Sequence, residues 1–208
     1  LTDVNIINSQ LFINPSPMDY KSYFIGNYIY SYEYSKKLAD FMYGLILNKL
    51  GNSIRLIILD LDNTLWSGIV GEDGVHNIKI GETYPGNCYT YFQKMLKSLT
   101  KIGISLAICS KNDEKIVKQV FDERKEMILK YDDFISKKIN WNNKSENILN
   151  ISKEVGLGLK NILFIDDNPI ERAEVSKILP DINILEIDVN SPENYTNELL
   201  SNNKIVFN

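Results

Sequence analysis

Apolar positions in this chain recur at two spacings, and the switches between them outline the elements. Over 33–49, Leu38, Phe41, Met42, Leu45 and Leu47 fall at helical spacing, with Gly51 and Asn52 as a stop signal, so the pattern predicts a helix. Ile54-Arg-Leu-Ile-Ile-Leu59 follows, a near-continuous apolar run of strand length. This is the pattern of a parallel strand buried on both faces, and it ends abruptly in charge at Asp60. A Gly-rich stretch over 67–81 reads as a hairpin-like flap. It leads into a helix carrying Phe92, Met95, Leu96, Leu99 and Ile102, which Gly103 stops.

The pattern then repeats. A strand is predicted over 104–109, helices over 113–126 and 145–155, and a strand over 162–165. Asn168 caps a helix that has Pro169 in its first turn. A strand over 182–187 and a short helix opened by Ser191 and Pro192 complete the series. Strands alternating with helices imply an α/β layer fold with a mostly parallel sheet. Ahead of this, 1–32 sustains no period and reads as an irregular lead-in. The expected organisation is therefore 1–52 as a lead-in and helix packing on the core, and 53–208 as one catalytic domain.

Composition narrows the classes. A chain of 208 residues buries roughly 70% of its unfolded surface, enough for one core. The 44% hydrophobic and 24% charged content is that of a globular protein rather than a disordered one. A net charge of -4 and a pI near 5.2 exclude the broad basic surface of nonspecific nucleic-acid binding. Two cysteines, Cys88 and Cys109, form neither a disulfide framework nor a metal-binding spacing, which fits a reducing, cytoplasmic setting. No apolar run reaches the length of a membrane span. The opening LTDVNIINSQ lacks the basic start and apolar core of a secretory leader, and a first residue of Leu suggests a segment of something longer.

In a parallel α/β sheet, ligands bind beyond the carboxyl ends of the strands, so the residues just past each apolar run carry the chemistry. The first strand delivers Asp60-Leu-Asp62-Asn63-Thr64, and the second delivers Ser110-Lys111-Asn112-Asp113. Lys144 lies in the helix before the last site strand, which delivers Asp166-Asp167-Asn168-Pro169. Alone, each cluster has a plain structural reading as a turn, a cap or a solvated side chain. Their joint occurrence in order points to a phosphoryl site. Crowded carboxylates repel and raise one another's pKa unless a cation holds them ionised, and hard oxygen ligands suit Mg²⁺. Attack of a carboxylate on a phosphate is slow unless the metal, Lys144, Ser110 and loop amides neutralise the phosphoryl oxygens. Asp60 is then the candidate nucleophile, forming an aspartyl phosphate, and Asp62 the acid that protonates the leaving oxygen and later deprotonates water. Receiver domains also use an Asp, Mg²⁺, a hydroxyl residue and a Lys, but there the acidic pair comes early, whereas here it comes last.

The set DLDNTLW, CSKND, Lys144 and FIDDNP resembles the four motifs of the haloacid dehalogenase (HAD) superfamily. That resemblance implies a doubly wound, Rossmann-like sheet with a minimal cap, here the short flap alone. The longer strings LDLDNTLWSGIVGEDG, FQKMLKSL, LAICSKND, INWNNKSENI and LFIDDNPIERAEV resemble the FkbH-like branch from polyketide pathways. Such proteins take a glyceryl unit from 1,3-bisphosphoglycerate, release phosphate and load the acyl group onto an acyl carrier protein. Carried over by motif position, Asp60 and Asp167 bind Mg²⁺ with Asp166 beside them, and Asp62 adds its main-chain carbonyl. Ser110 and Lys144 grip the phosphoryl group, and Asn63, Thr64, Lys111, Asn112 and Trp141 are the substrate-side candidates. Many such proteins carry a longer N-terminal region than this chain does.

Glyceryl transfer is simplest through an enzyme thioester, and Cys109 adjoins Ser110. The same residue also reads as a small apolar filler of a buried strand. Cys88 is a weaker candidate, and His76, alone in the flap, is assigned no role. Without a large insertion between Ser110 and Asp166, the site should be open to a phosphopantetheine arm or a protein partner. Two other functions fit the same residues: a general phosphatase of small phosphate esters or phosphoproteins, and a non-catalytic docking module of a synthase.

Overall fold

The structure, a computed structural model, describes residues 19–28 and 30–205. It divides into two compact units, one made mainly of the chain through Ser53 and one spanning Ile54–Asn202. Of the lead-in expected over 1–32, the part through Met18 lies outside the described residues. The rest is not irregular, for it contains a helix, α1 (Tyr20–Gly26). The Asp19 side chain caps it by accepting from the Lys21 amide and the Ser22 hydroxyl, and Asn27 closes it in the left-handed conformation. Seven residues are too few to display a period. The predicted helix follows as α2 (Tyr32–Lys49), with the Ser31 hydroxyl accepting from the Tyr34 amide at 3.2 Å.

The second unit is built on β1 (Leu56–Leu59), α3 (Val70–Asp73), α4 (Gly86–Lys101), β2 (Ser105–Ser110), α5 (Glu114–Glu123) and β3 (Phe134–Ile139). It continues through α6 (Lys144–Val155), β4 (Ile162–Asp166), α7 (Pro169–Ile178), β5 (Asn183–Glu186) and α8 (Tyr195–Leu200). The five strands form one parallel sheet in the order β3-β2-β1-β4-β5. The β1–β2 connection runs one way across the sheet and the β3–β4 connection the other. Right-handed crossovers therefore place α4 and α6 on opposite faces. On the α6 and α7 face, Leu56, Ile58, Ala107, Cys109, Ile148, Ile151, Phe164 and Val175 make one apolar cluster.

β3 was not predicted. Its sequence FISKKI holds two Lys and alternates only loosely, because as an edge strand it is half covered. The flap is one antiparallel bridge between Ser67 and Lys79 enclosing the single helical turn α3, rather than a ladder. Arg124 holds it from below, donating through Nη1 to the carbonyls of Val75 at 2.9 Å and Ile78 at 2.8 Å. Among the described residues no helix is long and apolar enough to cross a membrane.

Strand register brings the chemistry together. Leu59 pairs with Ile165 on one side and Ile108 on the other, so Asp60 emerges beside Asp166 while Ser110 lies two residues beyond the level of Leu59. The strand order reverses between β1 and β4, and in parallel α/β sheets the ligand crevice lies at such a reversal, outside the carboxyl ends.

Candidate active site

Two walls line this crevice. The first is charged. The carboxylates of Asp60, Asp166 and Asp167 each bring one oxygen within 4.8 Å of the others. Lys144, the first residue of α6 and itself buried, sets its Nζ 3.1 Å from Asp60 Oδ1 and 2.5 Å from Asp166 Oδ2. Burial alone would lower the Lys144 ammonium, but the Asp60 and Asp166 charges outweigh it and hold it above its ordinary value. The Asp166 carboxyl is pushed up to about 6, first by burial and then by the charge of Asp60. Burial and Asp60 likewise raise Asp167. Three carboxylates against one ammonium leave two negative charges in excess at a buried point. A divalent cation with a preference for hard oxygen, such as Mg²⁺, fits that donor set.

The second wall is neutral. Asp62 Oδ1 accepts from the Trp66 indole at 2.9 Å and the Val70 amide at 3.0 Å, and Oδ2 accepts from Asn112 Nδ2 at 2.8 Å. Burial raises the Asp62 carboxyl, with Asp60 adding to it, against the three hydrogen bonds that favour the ion. The Asp62 carboxylate thus stands outside the three-carboxylate cluster.

The loop between these walls is held at Asn63, whose φ of 54° is a left-handed conformation that Asn tolerates. Its side chain accepts from the Gly68 amide at 2.9 Å, and its carbonyl accepts from the Tyr195 hydroxyl at 3.0 Å. Thr64 is fully buried, and its hydroxyl has no hydrogen-bond partner among the described residues. Ser110 is buried at the end of β2, and Lys111 pairs with Glu171 of α7 at 2.6 Å. Trp141 is 75% exposed on the loop before α6.

Cys109 requires a correction. It is fully buried in the apolar cluster facing α6, because the alternation of β2 that brings Ser110 to the rim turns its neighbour into the core. Burial pushes its thiol up to about 12, so it is neither accessible nor a thiolate near neutral pH.

Sequence reading missed Trp66 as a partner of Asp62, Tyr195 as a partner of the Asn63 carbonyl, and Arg172. Arg172 Nη1 donates to the carbonyls of Asp166 at 2.6 Å and Asp167 at 2.7 Å, which fixes the backbone carrying both carboxylates. The Glu-Arg that follows FIDDNP was the one available signal for it.

Comparisons with known proteins show the family. A family described as NLI interacting factor-like phosphatase matches residues 55–199. The structure is similar to the N-terminal part of BF1531 from Bacteroides fragilis, described as containing a phosphatase domain complexed with Mg, at 33% identity and a TM-score of 0.78. That match covers 100% of this chain and 54% of the other, so the chain spans about half of that relative's length. Matches to a 3-deoxy-D-manno-octulosonate 8-phosphate phosphatase from Moraxella catarrhalis are more remote, at 19% identity and a TM-score of 0.43, covering 65% of this chain and 68% of that one. A predicted HAD-like family hydrolase from Porphyromonas gingivalis matches at 16% identity and a TM-score of 0.48, covering 65% and 92%. Comparison with curated proteins finds no match.

Proposed function

The chain belongs to the NLI interacting factor-like phosphatases and has their HAD-like α/β fold, and from this premise we propose that it is a Mg²⁺-dependent phosphoryl-transfer enzyme with Asp60 as nucleophile. The observation that carries the proposal is the Asp60, Asp166 and Asp167 cluster bridged by Lys144 at the sheet's switch point. Asp60 and Asp167, with the Asp62 main-chain carbonyl, would hold the ion, and Asp166 would stand beside them. Bound Mg²⁺ supplies charge neutralisation at the phosphoryl oxygens.

An Asp60 carboxylate oxygen forms the bond to phosphorus as the bond to the leaving oxygen breaks, and the Asp62 proton goes to that oxygen. Asp62 then takes a proton from water, the resulting hydroxide attacks phosphorus, and the Asp60–phosphorus bond breaks to give inorganic phosphate. Lys144 and Ser110 hold the phosphoryl oxygens. Asn63, Lys111, Asn112 and Trp141 are the substrate-side candidates, whereas Thr64 is fully buried.

The finer reading is glyceryl transfer. Motif resemblance to the FkbH-like branch supports 1,3-bisphosphoglycerate as donor and an acyl carrier protein as acceptor: the carrier thiol attacks the C1 acyl carbon as the C1 phosphate leaves, and water removes the C3 phosphate through Asp60, so two phosphates are released per glyceryl group loaded. With Cys109 in the core, this reading needs no acyl-cysteine at that position. Mass spectrometry of a carrier incubated with protein, Mg²⁺ and bisphosphoglycerate should show a glyceryl adduct. Absence of the adduct, with Asp60-dependent turnover of an aryl phosphate, would instead establish a general phosphatase, the reading that the family match favours.

A further inference from the structure

Ser110, Lys111 and Asn112 leave β2 in different directions. Asn112 reaches Asp62 on the neutral wall at 2.8 Å, while Lys111 reaches Glu171 in the first turn of α7 at 2.6 Å. β2 and β4 are separated by β1, so their ends stand about 10 Å apart at the usual strand spacing. The Lys111–Glu171 pair crosses that gap just past the strand ends, near where Asp60 emerges. It is a strap over one side of the crevice.

The pair is not sealed. Lys111 and Glu171 side chains are 30% and 15% exposed, and Glu171 Oε2 is buried with no hydrogen-bond partner among the described residues. Lys111 is the more exposed member of a part-buried pair, so its ammonium is within reach of a ligand, and a second anion that takes it from Glu171 must offset the cost of leaving that carboxylate unpaired. The buried Lys144 is different, because its two carboxylate partners already engage it at the reacting centre. Lys111 is therefore the cation available to a part of the substrate that does not react.

We propose that Lys111 is a specificity-determining residue, which exchanges Glu171 for a second anionic group on the phosphorylated substrate. The proposal rests on the reading of the crevice as a phosphoryl site, and deepens it by assigning the second group a receiver. Glu171 competes for the same ammonium and so sets how strongly the second charge is rewarded. A substrate with one phosphoryl group and no other charge leaves the strap closed. One that also carries a carboxylate or phosphate opens it, replacing one charge-assisted hydrogen bond by another.

The test is a calorimetric titration of Mg²⁺-loaded protein with methyl phosphate, 2-phosphoglycolate and ethylene glycol bisphosphate. The wild type should bind the two doubly anionic ligands about tenfold more tightly than methyl phosphate. Lys111→Met should bring that ratio close to one, Lys111→Arg should keep it, and Glu171→Gln should raise it. A wild-type ratio near one, or a ratio that survives in Lys111→Met with the fold intact by circular dichroism, overturns the proposal. Turnover and carrier loading report on the parent reading, and the affinity ratio reports on Lys111, so either can fail alone.

Discussion

Asp60 and Asp62 are two residues apart on one loop, yet they meet opposite surroundings. Asp60 faces an ammonium and two further carboxylates, and Asp62 faces an indole, a backbone amide and a side-chain amide. On the proposed mechanism the difference separates two tasks. A nucleophile works as an anion, and the Lys144 ammonium with a bound cation would offset the charge crowded on its wall. A group that gives and retakes a proton needs neutral partners and burial, which raise its pKa without pinning it by a counter-ion.

The most drastic way to break this contrast is Asp60→Asn. On the proposed mechanism it removes the attacking atom, and phosphate release from an aryl phosphate should fall by a factor on the order of 10⁴ or more. Asp62→Asn leaves the charged wall intact, so release should fall by about 10²–10⁴ while Mg²⁺ affinity by calorimetry stays near the wild-type value. Lys144→Met attacks the charged wall alone. It strands two buried carboxylates, and denaturant unfolding of metal-free protein should show a loss of roughly 3–5 kcal/mol, part of which saturating Mg²⁺ restores.

The smallest expected effect is on pH dependence. Asp166 is raised to about 6 in the fold, against about 3.9 in an unfolded chain. The metal-free native state therefore binds more protons across that window, and its stability should fall as pH rises from about 4 through about 6. Mg²⁺ favours the ionised form, so its stabilising effect by thermal unfolding should be larger at pH 7 than at pH 5. An equal effect at both would show that the ion binds away from this wall.

Much of this was legible in the sequence, for reasons specific to each part. β1, β2 and β4 are buried on both faces, so their apolar runs announce them, and a polar cluster past each run marks the rim. β3 was hidden because an edge strand tolerates Lys, and α1 because seven residues hold less than two periods of a pattern. The acidic residues and Lys144 were legible from their chemistry and their places around the strands, but that the Asp62 carboxylate stands apart from Asp60, Asp166 and Asp167 was not. Arg172, Tyr195 and Arg124 were not, because they act on main-chain carbonyls, which carry no sequence signature. Cys109 had two readings in the sequence, an acyl-bearing thiol and a buried strand filler, and strand alternation, which turns it into the core, separates them.

The claim that everything else depends on is that one divalent ion is shared by the charged wall. A crystal structure of the protein grown with Mg²⁺ tests it directly. A single octahedral ion bound by the Asp60 and Asp167 carboxylates and the Asp62 carbonyl, at about 2.1 Å from each, is the predicted result. An ion bound elsewhere, or the three carboxylates splayed apart with no ion between them, would contradict the account.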